Sequence, residues 1–277
     1  MTHGMNLEAR SQLAELRLPF QKYLAVAALS LRLRLAERAA LWGRIVFYFV
    51  ILMIYSRLWQ AVLTGGSGMD HGASGNVWYL AVTEWIILAQ PPIYLAIESD
   101  VRNGDIAYLL ARPMSYVGSK LAEAAADLVL RLIVLGAAGM TFARFFSGQW
   151  PSAEGLLLAA MVGAAASVVQ LLSLTAIGLS AFWVHECTGI YLIWQKCNFI
   201  LGGLMLPLSI YPDWLRTLAG WSPFPALLYG AGSLVMAPDP ERALHLLLEI
   251  AGWGALAVGV VLGLERRGRR VLDIHGG

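Results

Sequence analysis

Cysteine, lysine and charge are all scarce in this 277-residue chain, and each scarcity removes a class of protein. The two cysteines, Cys187 and Cys197, stand ten residues apart with no neighbouring His or Cys at metal-ligand spacing. They build neither a disulfide framework nor a zinc site, and read as reduced, packed thiols. Three lysines, Lys22, Lys120 and Lys196, fall outside any G-x-x-x-x-G-K-[ST] stretch, so the chain has no glycine loop to cradle nucleotide phosphates. His185-Glu186 opens like the zinc motif H-E-x-x-H, but position 189 is Gly and the spacing fails. No metal ligand set and no catalytic group is therefore expected. Charged residues make up only 14%, and a net charge of +2 is too small to point to nucleic acid. The first residues, "MTHGMNLEARSQLAELRLPFQKY", lack a short apolar core before a small-residue cleavage site, so no removable signal peptide is expected.

What is abundant is apolar. Hydrophobic residues reach 58%, the balance of a chain that lives in lipid. A hydrocarbon core about 30 Å thick takes about 20 apolar residues in a helix. Six runs meet that length, over roughly 45–63, 77–97, 120–143, 156–183, 189–210 and 243–264. The fourth is free of charge from Leu156 to Trp183, whereas the third carries Glu123, Asp127 and Arg131 and the fifth carries Lys196. No internal repeat or soluble domain is evident. One membrane domain over 1–277 is expected, with tails at 1–44 and 265–277 and the spans at 45–264.

Lys and Arg accumulate on cytoplasmic flanks and short loops. With the N-terminus inside, 15 of the 20 fall on the inner segments, three (Arg144, Arg216, Arg242) on the outer ones, and Arg57 and Arg131 within spans. Both termini are expected in the cytoplasm. That orientation places "IESDVRNGDIAYLLARP", residues 97–113, on the inner side between the second and third spans. Asn103-Gly104 is a turn signal, Asp105 is a good N-cap, "IAYLLA" makes about two helical turns and Pro113 ends them.

Residues 21–42 carry Leu24, Leu31, Leu35 and Trp42 on one stripe and Ser30, Arg34, Glu37 and Arg38 on the next, the pattern of a helix lying in the membrane interface. "IYPDWLRTLAGWSPFPALLYG", between the fifth and sixth runs, is aromatic, proline-rich and too broken to span. Short helices dipping into the outer leaflet are expected there.

An interfacial helix, six spans, a short inner helix after the second and a broken outer hairpin before the sixth resemble the membrane subunit of ABC-2 type ABC transporters. "GDIAYLLARPMSYVGSKLAE" fits a "G-x-x-x-x-x-L-x-R-P" loop, and Gly202-Gly203 through Pro207 and Pro212 fit "G-G-x-x-x-P-x-x-x-x-P". Both are similar to the exporter permease branch of that family. The resemblance implies that the inner helix is a coupling helix seated on a separate ATPase subunit. Glu98, Asp100, Arg102 and Asp105 would supply polar contacts and the cap, Tyr108 and Leu109 the packed face, and Arg112 the exit. It further implies ATP and Mg in the partner ATPase, no cofactor on this chain, and a dimer with a second copy or a related permease. The expected setting is the inner (cytoplasmic) membrane, surrounded by lipid.

Charges inside spans are costly in lipid and mark interfaces, paths or internal pairs. Arg57, Glu84 and Glu249 each lie roughly five to seven residues from the outer end of a span and could share a layer. Asp127 and Arg131 sit at i, i+4, either as a packing ion pair or as part of a path. These five are the candidate translocation residues. Two other functions are weighed. A secondary carrier would run on an ion gradient, and inverted repeats are absent from the sequence. A rhomboid-like protease would need Ser67 or Ser74 of the G-x-S-G pairs with His71, but these stand in an outer loop before the second span.

Overall fold

The computed structural model describes residues 21–64, 72–110, 114–204 and 207–275, and every regular element among them is helical. A first helix, α1, covers residues 21–36 and is followed by α2 (Arg38–Thr64) and α3 (Gly72–Leu88). Then come α4 (Ile93–Arg102), the six-residue α5 (Asp105–Leu110) and the 32-residue α6 (Tyr116–Ser147). The next group is α7 (Ala153–Leu179), α8 (Ala181–Val184) and α9 (Thr188–Ile200). The chain closes with α10 (Asp213–Gly220), a π-helical turn at Pro225–Tyr229, α11 (Gly230–Met236) and α12 (Pro240–His275).

Among the described residues, four stretches are long and apolar enough to cross a membrane: Arg38–Leu58, Gly75–Arg102, Ala153–Val184 and Pro240–Gly268. They coincide with the first, second, fourth and sixth apolar runs of the sequence. The fifth run is not one helix. At 1.5 Å per residue the 13 residues of α9 reach about 20 Å, short of the hydrocarbon core. Gly202 and Gly203 end it, Gly203 with φ at +68°, a left-handed conformation that favours glycine.

Local chemistry sets the other ends. Ser115 caps α6 by accepting the Gly118 N–H at 3.2 Å, and Gly148 closes that helix at φ +75°. Ser152 caps α7 in the same way through Gly155 at 3.0 Å. Pro91 and Pro92 separate α3 from α4, because neither offers an N–H to the preceding turn.

At the centre stands α7, apolar on all sides, with α3, α4, α11 and α12 packed around it. Its glycines set the separations: a Cβ on Gly178 would lie 2.9 Å from Cα of Tyr94, and one on Gly163 would lie 2.8 Å from the Trp85 ring. Lipid tails are as apolar as leucine, so close backbone approach and internal hydrogen bonds, more than burial itself, hold such a bundle. The peripheral helices are α2 and α12, whose outer faces the described chain leaves largely uncovered.

Candidate functional site

Within 97–113 a short helix does form, separate from α4, and Asp105, the expected N-cap, is its first helical residue. Gly104, at φ +78° with open space around it, turns the chain from α4 into α5. Ile106 is buried and anchors α5, and Leu109 packs partly against the core. Asp105 is exposed and Tyr108 is 69% exposed, so the outer surface of α5 is presented away from the bundle. Arg112 lies outside the described residues.

Two of the charges expected to face a partner face inward instead. Glu98 is 6% exposed, and its Oε2 accepts the backbone N–H of Cys187 at 2.7 Å, while Arg102 reaches Oε1 at 3.5 Å. Cys187 precedes the first residue of α9, where backbone N–H groups lack helical partners and a carboxylate is favoured. Asp100 Oδ2 accepts from the Tyr116 hydroxyl at 2.7 Å and pairs with Lys120 Nζ at 2.8 Å. Burial, reinforced by this hydrogen bond and the carboxylate's charge, pushes the Tyr116 phenol far up and keeps it a donor. Together these contacts pin the end of α4 to α6 and to the start of α9. Ser115 Oγ also donates to Glu265 Oε1 at 3.2 Å, which brings α12 to the same end of the bundle.

A second polar centre lies deeper. Arg131 and Asp127 form a bidentate pair, both bonds at 2.7 Å, with 7% and 3% exposure. Arg34 of α1 stands 3.5 Å from Asp127 Oδ2, so this residue of the polar stripe turns toward the bundle. The apolar stripe of α1 is uncovered, with Leu24 and Leu35 exposed. At the break, Pro92 cannot supply the Leu88 carbonyl, and Arg44 Nη1 donates to it at 2.8 Å. Arg131 Nη1 donates to the Gln90 carbonyl at 3.1 Å. Arg44 thus satisfies the backbone oxygen that Pro92 leaves over, and Arg131 holds a second carbonyl beside the break.

Arg57, Glu84 and Glu249 are not brought into an ion pair among the described residues. Glu84 is buried at 4% exposure on α3, whereas Arg57 and Glu249 are exposed on the peripheral helices α2 and α12. Ser67 and His71 lie outside the described residues, and Ser74 is on the first turn of α3. No group of three His, Cys, Asp or Glu side chains suited to a metal occurs among the described residues.

Sequence reasoning missed Arg44, Ile106, Tyr116, Lys120 and Cys187. The adjacent prolines at 91 and 92, inside an apolar run, were the available sign that donors must come from elsewhere. In comparisons with known proteins, no family model matches the chain and no curated protein matches it.

Proposed function

We propose that the chain is the membrane-spanning permease subunit of an ATP-driven exporter of the ABC-2 type, coupled to separate ATPase subunits and dimeric with a second copy or a related permease. The observation that carries this reading is α5, a short helix on a glycine turn, fixed by Ile106 and presenting Asp105 and Tyr108 outward. A short helix with an exposed face suits force transmission, because a floppy loop would absorb the motion. The ties from Glu98 to Cys187 and from Asp100 to Tyr116 and Lys120 would pass a displacement of α4 and α5 on to α6 and α9. Within this reading Arg102, Asp105 and Tyr108 face the ATPase, and Glu98 and Asp100 hold the platform behind them.

Six crossings follow if α6, long enough at 32 residues, and α9 with its extension to residue 210 join the four long apolar stretches. The end of the bundle that gathers α5, Lys120, Glu265 and Arg266 is the cytoplasmic one in this orientation, consistent with its basic residues. The exposed Arg57 and Glu249 support dimerisation, since lipid is a costly neighbour for either charge. Substrate is loaded from the cytoplasm or inner leaflet of the cytoplasmic membrane and leaves outward, with ATP and Mg in the partner.

An ion-gradient carrier is the second reading. Glu84 favours it, as a buried carboxyl without an ion-pair partner among the described residues.

Co-purification in mild detergent with an ATPase encoded beside the chain separates the two. Wild type retains the ATPase, and Asp105→Arg and Tyr108→Ala lose it or uncouple its hydrolysis. Transport by the chain alone, with no ATPase bound, overturns the exporter reading in favour of the carrier.

A further inference from the structure

Beside the buried Asp127–Arg131 pair, a cavity of about 330 Å³ opens between α1, the proline break and the first turns of α6. That volume is at the lower end of the roughly 300–1,000 Å³ of small-molecule sites. Its two sides differ in chemistry. Arg34, Lys120, Glu123 and Asp127 supply the polar side, and Pro91, Pro92, Leu95 and Ala96 the apolar one.

The polar side carries two positive and two negative groups. Lys120 is engaged with Asp100, and Arg34 with Glu37 and Asp127, yet an ammonium has three donors and a guanidinium five, so each keeps donors to spare. Glu123 is exposed to the cavity and its carboxylate enters no ion pair among the described residues. A ligand that matches this wall is itself neutral overall, with an acceptor-rich anion at one end and an N–H cation at the other.

Depth points to the ligand's source. At 1.5 Å per residue α6 is about 48 Å long, about 18 Å more than the hydrocarbon core. Shared between the two faces, that excess puts Lys120 at headgroup level and Glu123, about two turns from the start, at the edge of the hydrocarbon. Asp127 lies about one turn deeper. The helix α1 runs alongside in the same direction: Tyr23 receives the Ser115 N–H, Ser30 donates to the Glu123 carbonyl and Arg34 meets Asp127. Its leucines at 24, 29, 33 and 35 point away from the cavity's protein walls and stay uncovered.

We propose that this cavity binds the headgroup of a zwitterionic glycerophospholipid bearing a primary ammonium, the phosphate accepting from Arg34 and Lys120 and the ammonium donating to Glu123. Acyl chains lie against the proline-lined wall. A quaternary ammonium offers no N–H to Glu123, and an anionic headgroup leaves Glu123 opposed. The assignment rests on α6 crossing the membrane and not on coupling to an ATPase.

Titration of the delipidated chain in detergent, followed by tryptophan fluorescence, tests it with short-chain phosphatidylethanolamine, phosphatidylcholine and phosphatidylglycerol, and with soluble O-phosphoethanolamine. Phosphatidylethanolamine should bind about tenfold tighter than phosphatidylcholine, the scale of one charge-assisted hydrogen bond. Glu123→Gln should abolish that preference while keeping phosphatidylcholine binding, and Arg34→Gln should weaken both about tenfold. Both residues are exposed enough for the variants to fold, and Glu154→Gln, exposed at the start of α7, should change nothing. The proposal is overturned if phosphatidylglycerol binds tightest, if Glu123→Gln leaves the preference intact, or if O-phosphoethanolamine binds as tightly as the lipid. None of these readouts involves an ATPase, so a failed co-purification leaves them unaffected.

Discussion

Glu98 Oε2 and the backbone N–H of Cys187 are joined at 2.7 Å across 89 positions of sequence. The carboxylate sits where α9 begins, and its own helix ends four residues later at Arg102. A charge near the end of α4 is thereby a cap for α9.

Removing that cap should destabilise the fold and not merely weaken a partner contact. Glu98→Ala is expected to cost about 1–3 kcal/mol, the range for leaving a buried donor unsatisfied. Glu98→Gln keeps an acceptor oxygen and should cost less. Arg102→Ala, on an exposed side chain, should stay within about 0.5 kcal/mol of wild type. Thermal unfolding of the detergent-solubilised protein ranks the three.

For Asp127 the expected penalty is larger. Asp127→Asn strands the buried Arg131 guanidinium, and breaking such a pair typically costs about 3–5 kcal/mol. Replacing both partners, Asp127→Asn with Arg131→Gln, should recover part of the loss, giving a clear coupling energy in a double-mutant cycle. Additive losses would show that the pair does not act as a unit.

Arg57 and Glu84 should behave in the opposite way. With no ion pair between them, their losses in the combined Arg57→Ala, Glu84→Gln variant should add within about 0.5 kcal/mol. A coupling well above that value would mean that the two charges do meet.

The cysteines should differ in reactivity. Burial pushes the Cys187 thiol up; the Ser180 contact acts against this, and the Glu98 charge adds to it. A raised value means less thiolate at neutral pH, so labelling of Cys187 should be slow and should accelerate only at higher pH than for an ordinary thiol. Cys197, partly exposed on α9, should account for the fast phase with a membrane-permeant maleimide, and Cys197→Ser should remove it. Glu98→Ala should speed the remaining slow phase by loosening the cap.

Much of this was legible in one dimension. Apolar run length found the four long stretches, and Gly104 followed by Asp105 marked a helix that forms where expected. Hydropathy reports which solvent a run prefers, not whether its backbone is continuous. So 77–97 read as one span although the helix is interrupted at Pro91 and Pro92, and 189–210 read as one although α9 stops at Ile200. The direction of a charge was less legible still. Glu98, Asp100 and Arg102 look alike in a loop, but only packing decides that Glu98 reaches Cys187 and Asp100 reaches Tyr116. Asp127 and Arg131 were easier, because their partner choice is set within one turn of one helix.

The two guanidiniums at the proline break give the α3–α4 junction a particular mechanical character. Arg44 approaches it from α2 and Arg131 from α6, each hooked onto a different carbonyl. Twisting one half of the rod against the other stretches little at first, then requires one hook to come off and expose a bare oxygen to an apolar surround. The angle between the two halves is thus held from outside, by side chains of two neighbouring helices.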